Sequence, residues 1–279
     1  MYRKLAVSGV LAFLVLMCSR EASAQAEKIP LKQDYEEMLV DKEAHKGPGG
    51  SSAASSPLID HGGLLLPASK TWAIYWGTPA NFPADLQSGI SALLTGFNGS
   101  GYLGVAQQYM RGAPVSTTYM GSVPDTSAPP AKAPQTSEIG AEVCKLFPNP
   151  DPTAIYIVFT SNAPNVRYCA WHDMTTCNGV TFQVAYIPNQ AQLSGCSPYL
   201  AKNLRCNSYS EGTVASADSV AHEFMEAITD PRLDAWYDKH GAEIGDKCNF
   251  VYQSCVSFPT GSWQIQAEWS NAINACQQQ

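Results

Sequence analysis

The sequence predicts an α/β fold: a mixed sheet with flanking helices in a single disulfide-bonded domain. Three observations lead there. Apolar strand-like runs alternate with segments of helical periodicity, the order expected of an α/β chain. The cysteines are even in number once a leader-like N-terminus is set aside. The part left after that leader and a polar arm, 61–279, has a size that one core supports.

In chain order, Thr71-Trp72-Ala73-Ile74-Tyr75-Trp76-Gly77 reads as a buried strand, and Leu86, Ile90, Leu93, Leu94 and Phe97 follow Pro83 at helical spacing. A second strand is expected around 115–119, then a Pro-rich loop over 124–134 and a helix capped by Thr136 or Ser137 that runs to Phe147. Ala154-Ile155-Tyr156-Ile157-Val158-Phe159-Thr160 is the strongest strand, and Val180-Thr181-Phe182-Gln183-Val184-Ala185-Tyr186-Ile187 is another. A Cys-bearing loop then leads into a helix whose apolar stripe is Ala217, Val220, Ala221, Phe224, Ala227 and Ile228, and which Pro231 stops. Gly99-Ser100-Gly101-Tyr102-Leu103-Gly104 spells G-x-G-x-x-G, but it follows a helix and not a strand, so it reads as a helix-ending turn.

The N-terminus begins Met1-Tyr2-Arg3-Lys4, continues through an apolar stretch to Cys18 and reaches Ala22-Ser23-Ala24, a small-residue cleavage site. The expectation is a signal peptide over 1–24, cleaved after Ala24, and a secreted, extracellular product; no other stretch is long and apolar enough to span a membrane. Residues 25–60 are polar and rich in Gly, Ser and Pro toward their end, the composition of a flexible arm, with a propeptide as the sharper alternative. Removing 1–24 leaves 14 basic and 23 acidic residues, a net charge of −9, which argues against nucleic-acid binding. Eight cysteines remain, and short loops favour pairing Cys169 with Cys177, Cys196 with Cys206 and Cys248 with Cys255, leaving Cys144 for Cys276. The chain is expected to be monomeric.

The chemistry concentrates in His222-Glu223-Phe224-Met225-Glu226-Ala227-Ile228-Thr229-Asp230-Pro231. On a helix, residues i and i+4 share a face, so His222 and Glu226 point the same way as paired metal ligands, on a cleft-facing side opposite the apolar stripe. Glu223 sits beside them as a general base for a metal-bound water. A further ligand must come from elsewhere, and Gly241-Ala242-Glu243-Ile244-Gly245-Asp246 offers Glu243 or Asp246. The helix spacing makes zinc the first expectation, while Glu226, which renders the donor set harder and more negative, admits calcium or manganese as alternatives. His172, in Cys169-Ala170-Trp171-His172-Asp173, is a candidate ligand or donor to a transition-state oxyanion, held in a disulfide loop.

Residues 222–246 resemble the thermolysin-like zincins, in which an HExxH helix continues into a Thr-Asp pair and a Gly-Ala run some twenty residues later carries the ligand glutamate. Here Glu226 stands where that pattern has its second histidine. The resemblance implies His222, Glu226 and Glu243 as ligands, Asp246 as a group that steers a ligand, Glu223 as the base, and hydrolysis of a peptide or cell-wall substrate. A longer set of short islands, His61-Gly62-Gly63, the strand ending at Gly77, the strand ending at Thr160-Ser161, Cys169-Ala170-Trp171-His172 and the 222–248 block, is similar to the secreted phosphate-induced protein/EXORDIUM family. That likeness implies secretion and an extracellular-matrix setting with no established reaction. The expected function is therefore a secreted metal-dependent hydrolase of metallopeptidase type, the alternative being a non-catalytic extracellular protein in which a metal or the carboxylates tie the segment together.

Other candidates carry less. His240 reads as a turn residue, or with Tyr237 as a second electrophile. His45 and His61 earn no role, and the tryptophans are read as core before they are read as a sugar-binding surface. No G-x-S-x-G elbow is present, which argues against an α/β-hydrolase serine enzyme.

Overall fold

Every residue of Ala154–Thr160 is buried, and that unbroken apolar run is the strand on which the sheet is built. A strand covered on both faces has no polar side to alternate with, so it reads as continuously apolar. The computed structural model describes residues 36–39 and 56–279, all in one compact unit spanning Lys32–Gln279. The expected signal peptide and residues 25–35 and 40–55 of the expected arm lie outside the described residues. Within that arm, Glu36–Leu39 forms strand β1 and Ile59–Asp60 forms β2.

The chain continues through β3 (Ala68–Trp76), α1 (Leu86–Phe97), the short α2 (Gly101–Gly104), β4 (Ser116–Asp125), α3 (Thr136–Leu146), β5 (Ala154–Thr160), β6 (Tyr168–Cys177), β7 (Val180–Ile187) and α4 (Glu211–Thr229). Short strands follow: β8 (Trp236–Tyr237), β9 (Val256–Phe258), β10 (Gly261–Trp263), β11 (Glu268–Ser270) and β12 (Ala275–Gln277). The main sheet has the order β1-β6-β7-β5-β3-β4. Its β7-β5-β3-β4 part is parallel, whereas β6 runs antiparallel to β7, and β1 antiparallel to β6. The mixed α/β architecture is as the sequence predicts. Ile139 and Val143 of α3 pack on one face of the sheet with Ile74, Tyr156, Val158 and Trp171. On the other face α1 and α4 pack on Ala73, Ile155, Ile157, Phe159 and Ala185.

Several expectations are corrected. The 169–177 stretch is a strand and not a disulfide loop. Eight residues of strand span about 26 Å at ~3.3 Å each, so Cys169 and Cys177 at its two ends cannot meet at the ~6 Å Cα separation a disulfide needs. The bridges are instead Cys169–Cys196, Cys206–Cys255 and Cys248–Cys276, each with Cα atoms 5.5 to 5.7 Å apart. Cys144 and Cys177 are free thiols that hydrogen-bond to each other, and burial together with that neighbour pushes Cys144 up to about 11. The β6–β7 connection is Asn178-Gly179, both at positive φ, the backbone a two-residue hairpin turn demands. β4 is also longer than expected and enters the Pro-rich stretch. Gln135 caps α3 through a capping box with Glu138, in place of Thr136 or Ser137. The G-x-G-x-x-G turn does end α1, after which the Ser100 side chain caps α2 by accepting from the Leu103 N–H.

α3 carries one group whose titration the fold sets. Burial, then the hydrogen bond to Asp125 at the end of β4, pushes Glu142 up to about 7, while that same bond and Lys145 hold Asp125 low. A carboxyl whose folded pKa lies above its ordinary 4.5 stabilises fully below pH 4.5 and loses that contribution as pH rises through about 7. The melting temperature of Glu142→Gln, followed from pH 4.5 to 8, should fall less steeply than that of the wild type; identical slopes would show that this proton does not matter to folding.

Candidate metal centre

The helix α4 is fixed at its start from a distance. Ser210 is its N-cap, and Asp85, which precedes α1, accepts from the Ser210 N–H at 2.6 Å and from the Ser210 and Thr213 hydroxyls at 2.6 Å each. These bonds satisfy donors that a helix start leaves open and put a negative charge at its positive end. At the other end Thr229 Oγ1 bonds back to the Met225 carbonyl, and Asp230 gathers the Asp234 and Ala235 N–H groups on Oδ1 as the chain turns away at Pro231.

The sequence places His222, Glu223 and Glu226 on an open, cleft-facing side; the structure buries them. Every residue from Thr213 to Thr229 is buried, and the three polar residues are 0 % exposed. The apolar stripe packs into the core shared with α1 and the sheet, where Phe224 stacks on Phe97. The polar side is covered by strand β6, by the 243–247 turn and by the segment 264–268, which come from far along the chain.

That covering brings the candidate ligands together. His222 Nε2 lies 3.2 Å from Glu226 Oε1 and 3.8 Å from Asp246 Oδ1. His172, reaching in from β6, has its Nε2 3.2 Å from Glu243 Oε2 and 3.6 Å from Glu226 Oε2. Two overlapping triads result, His222–Glu226–Asp246 and His172–Glu226–Glu243, and in each the ligand atoms lie within 4.8 Å of one another. Glu226 belongs to both, offering one oxygen to each. Glu243 and Asp246, alternatives on sequence grounds, thus both enter the cluster, on different sides of Glu226. His172 enters because side chains alternate along a strand: Trp171 packs on the α3 face, so His172 points to the α4 face with Ala170.

The 243–246 turn is held by its own backbone. The Asp246 N–H donates to Glu226 Oε1 at 3.1 Å, the Glu243 N–H to Asp246 Oδ2 at 3.1 Å, and Gln266 Nε2 to the Gly245 carbonyl at 2.9 Å. Lys247 pairs with Asp238 at 3.0 Å, both side chains fully buried, and the Trp269 N–H binds the Ile244 carbonyl. Deeper still, Tyr102 donates to Glu268 and Tyr252 to Asp218, each at 2.5 Å. Burial raises Glu268 well above the usual carboxylate range and pushes Asp218 up to about 7. For His222, burial opposes the charged form, but Glu226, Glu223 and Asp246 outweigh it and hold the imidazole well above its ordinary value. The cluster is therefore a pocket of excess negative charge that attracts a cation, and its mixed nitrogen and oxygen donors fit a divalent metal.

Gly245 is a residue that the motif does not announce. Its φ of −77° and ψ of −44° suit any amino acid. A Cβ there, however, would stand 2.8 Å from His222 Nδ1 and 3.0 Å from Glu226 Oε1. Other sequence candidates are placed elsewhere. His240 sits in the Asp238–Ala242 turn, donating its N–H to Asp238, as a turn residue should. Tyr237 lies in β8 and stacks on His61 with ring centroids 3.7 Å apart. Trp171, Trp263 and Trp269 are core. His45 lies outside the described residues.

No protein-family model matches the chain, and no curated protein matches it. Among solved structures it is similar to metalloproteinase-II from Bacteroides fragilis, at 12 % identity and a TM-score of 0.29, over 52 % of this chain and 43 % of that one. The chain thus spans less than half the length of that protein, and the assignment of the cluster rests on its own geometry.

Because Gly245 is required for space and not for backbone freedom, Gly245→Ala should fold but push His222 and Glu226 apart. Metal affinity measured by competition with a chromogenic chelator should drop about tenfold or more, the loss typical of disturbing groups that orient ligands; an unchanged affinity would mean the turn yields at no cost.

Proposed function

We propose that the chain is a secreted, metal-dependent hydrolase of zincin-like metallopeptidase type, acting on peptide bonds. The observation that supports it most is the convergence of two imidazoles and two further carboxylates around Glu226, on a helix that also carries Glu223. Imidazole donors suit zinc better than calcium or manganese, which favour oxygen ligands, so zinc is the first choice. When bound, such a metal acidifies water and polarises a carbonyl. Glu223, next to His222 in sequence and close enough to raise its pKa, takes the proton of the attacking water and passes it to the leaving amine. His222, Glu226 and His172 hold the centre, with Glu243 and Asp246 each completing one side. The three disulfides suit an exported protein, and no helix among the described residues is long and apolar enough to cross a membrane.

One observation favours a second reading. With His222, Glu223, Glu226 and Glu243 all fully buried, the same centre suits a structural metal in a non-catalytic extracellular, EXORDIUM-like protein of the cell wall. Two variants separate the readings. Protein purified without chelator should contain zinc by elemental analysis and lose it in His222→Ala. Glu223→Gln should keep the metal while hydrolysis of a fluorogenic peptide library falls at least a hundredfold, the scale of a lost general base. Metal retention with no hydrolysis even in the wild type would favour the structural reading, and absence of metal would overturn both.

A further inference from the structure

The cluster around Glu226 holds two sets of ligand atoms. His222, Glu226 and Asp246 form one, with His222 Nε2 3.2 Å from Glu226 Oε1 and 3.8 Å from Asp246 Oδ1. His172, Glu226 and Glu243 form the other, with His172 Nε2 3.6 Å from Glu226 Oε2 and 3.2 Å from Glu243 Oε2. Ligand atoms held ~2.1 Å from a tetrahedral ion stand roughly 3.4 Å from one another, so each triad already has the spacing of one coordination shell. Among the described residues no such group contains both imidazoles. One ion in this arrangement therefore takes one histidine or the other. Glu226 is common to both groups and turns a different oxygen to each imidazole.

We propose that the centre is dinuclear, with one divalent cation in the His222–Glu226–Asp246 triad, a second in the His172–Glu226–Glu243 triad, and the Glu226 carboxylate as the bridge between them. This rests on the reading above only in that the cluster binds metal; it stands whether or not the chain hydrolyses peptides. Paired ions in such centres lie ~3.5–4 Å apart, a span that the two oxygens of one carboxylate can bridge. The charge agrees. Glu223, Glu226, Glu243 and Asp246 are four carboxylates, and imidazole binds metal in its neutral form. Two divalent cations balance the four when ionised, whereas one leaves two negative charges in an interior where uncompensated charge is costly. The two sides also differ in access. The Asp246 side chain is 20 % exposed, while those of His172, Glu226 and Glu243 are at most 1 % exposed. The His222 side, next to Glu223, is thus the one that solvent and a substrate approach, and the His172 side is closed. A hydrolytic ion and a structural ion, posed above as alternatives, then coexist on opposite sides of Glu226.

The test is metal stoichiometry and metal–metal coupling in the full chain, prepared without an affinity tag. Equilibrium dialysis against zinc, read by elemental analysis, should give about two equivalents per chain, one for each triad. His172→Ala removes a ligand from the closed side alone and should bind about one equivalent, with the circular dichroism of the wild type. Asp246→Asn should weaken one of the two equivalents at least tenfold and leave the other as it was. A measurement on the unaltered protein needs no variant to fold: with manganese in place of zinc, electron paramagnetic resonance should show an exchange-coupled pair. Saturation at one equivalent in the wild type, two manganese ions without coupling, or two equivalents retained by a folded His172→Ala would overturn the dinuclear centre and leave the proposed function standing. Two coupled ions in a protein that cleaves no peptide would support the centre and remove the hydrolase reading instead. Absence of metal would overturn both.

Discussion

The structure depends on how a concentration of negative charge is kept away from water. Glu223, Glu226 and Glu243 are fully buried, Glu268 and Asp218 lie behind them, and among the described residues the buried groups that are cationic or able to become so are Lys247 and the two histidines. Carboxylates in an apolar interior are tolerated only when paired, protonated or bound to a cation. Each of these means is present: Asp218 and Glu268 are raised toward their neutral forms, Asp238 takes Lys247, and Glu226 stands between two imidazoles. A metal at the triads fits this scheme because it adds positive charge where Glu226, Glu243 and Asp246 converge.

The rest of the fold is arranged to hold that cluster from three directions. The sheet delivers His172 on β6, whose neighbour β7 is anchored to the fully buried β5. The helix delivers His222, Glu223 and Glu226, set in position at its start by Asp85 and at its end by Thr229 and Asp230. The C-terminal segment delivers Glu243 and Asp246 on a turn fastened by Gln266, Trp269 and the Lys247–Asp238 pair. No two of these elements are adjacent in sequence, so the site exists only once the whole domain has closed. This also explains why polar residues run the length of α4 without a solvent face: the helix lies between two layers, and its hydrogen-bonding groups are met by protein on both sides.

Much of this was legible in the sequence, and the parts that were not have physical reasons. The His222–Pro231 segment was readable because helical period, ligand type and a helix stop coincide. Glu243 and Asp246 were readable as a pair but not as occupants of opposite sides, which depends on a fold-back of twenty residues. The burial of α4 was hidden because its amphipathic pattern is the same whether the polar face meets water or the segment 264–268. Strand β6 is masked in the sequence by its two cysteines, whose spacing suggests a bridged loop; the Asn178-Gly179 turn between two apolar runs is the signal that points to a hairpin instead. The disulfides follow tertiary proximity, and preference for short loops proved a poor guide to all of them. Gly245 left no trace in pattern because its backbone is ordinary and only its neighbours in space require it.

The bridge between Cys206 and Cys255 closes a covalent ring around the whole of α4 and the turn that follows it. Five of the six polar residues discussed for the centre, all but His172, lie inside that ring. When the domain unfolds with its bridges intact, these donors do not disperse; they remain tethered within a short circuit at high effective concentration. A metal ion then retains some hold on the denatured chain, so its stabilising effect on the folded form is smaller than its native affinity alone implies. The same tether gives refolding a starting point: chelation within the ring can gather helix and turn before the sheet arrives to add its histidine.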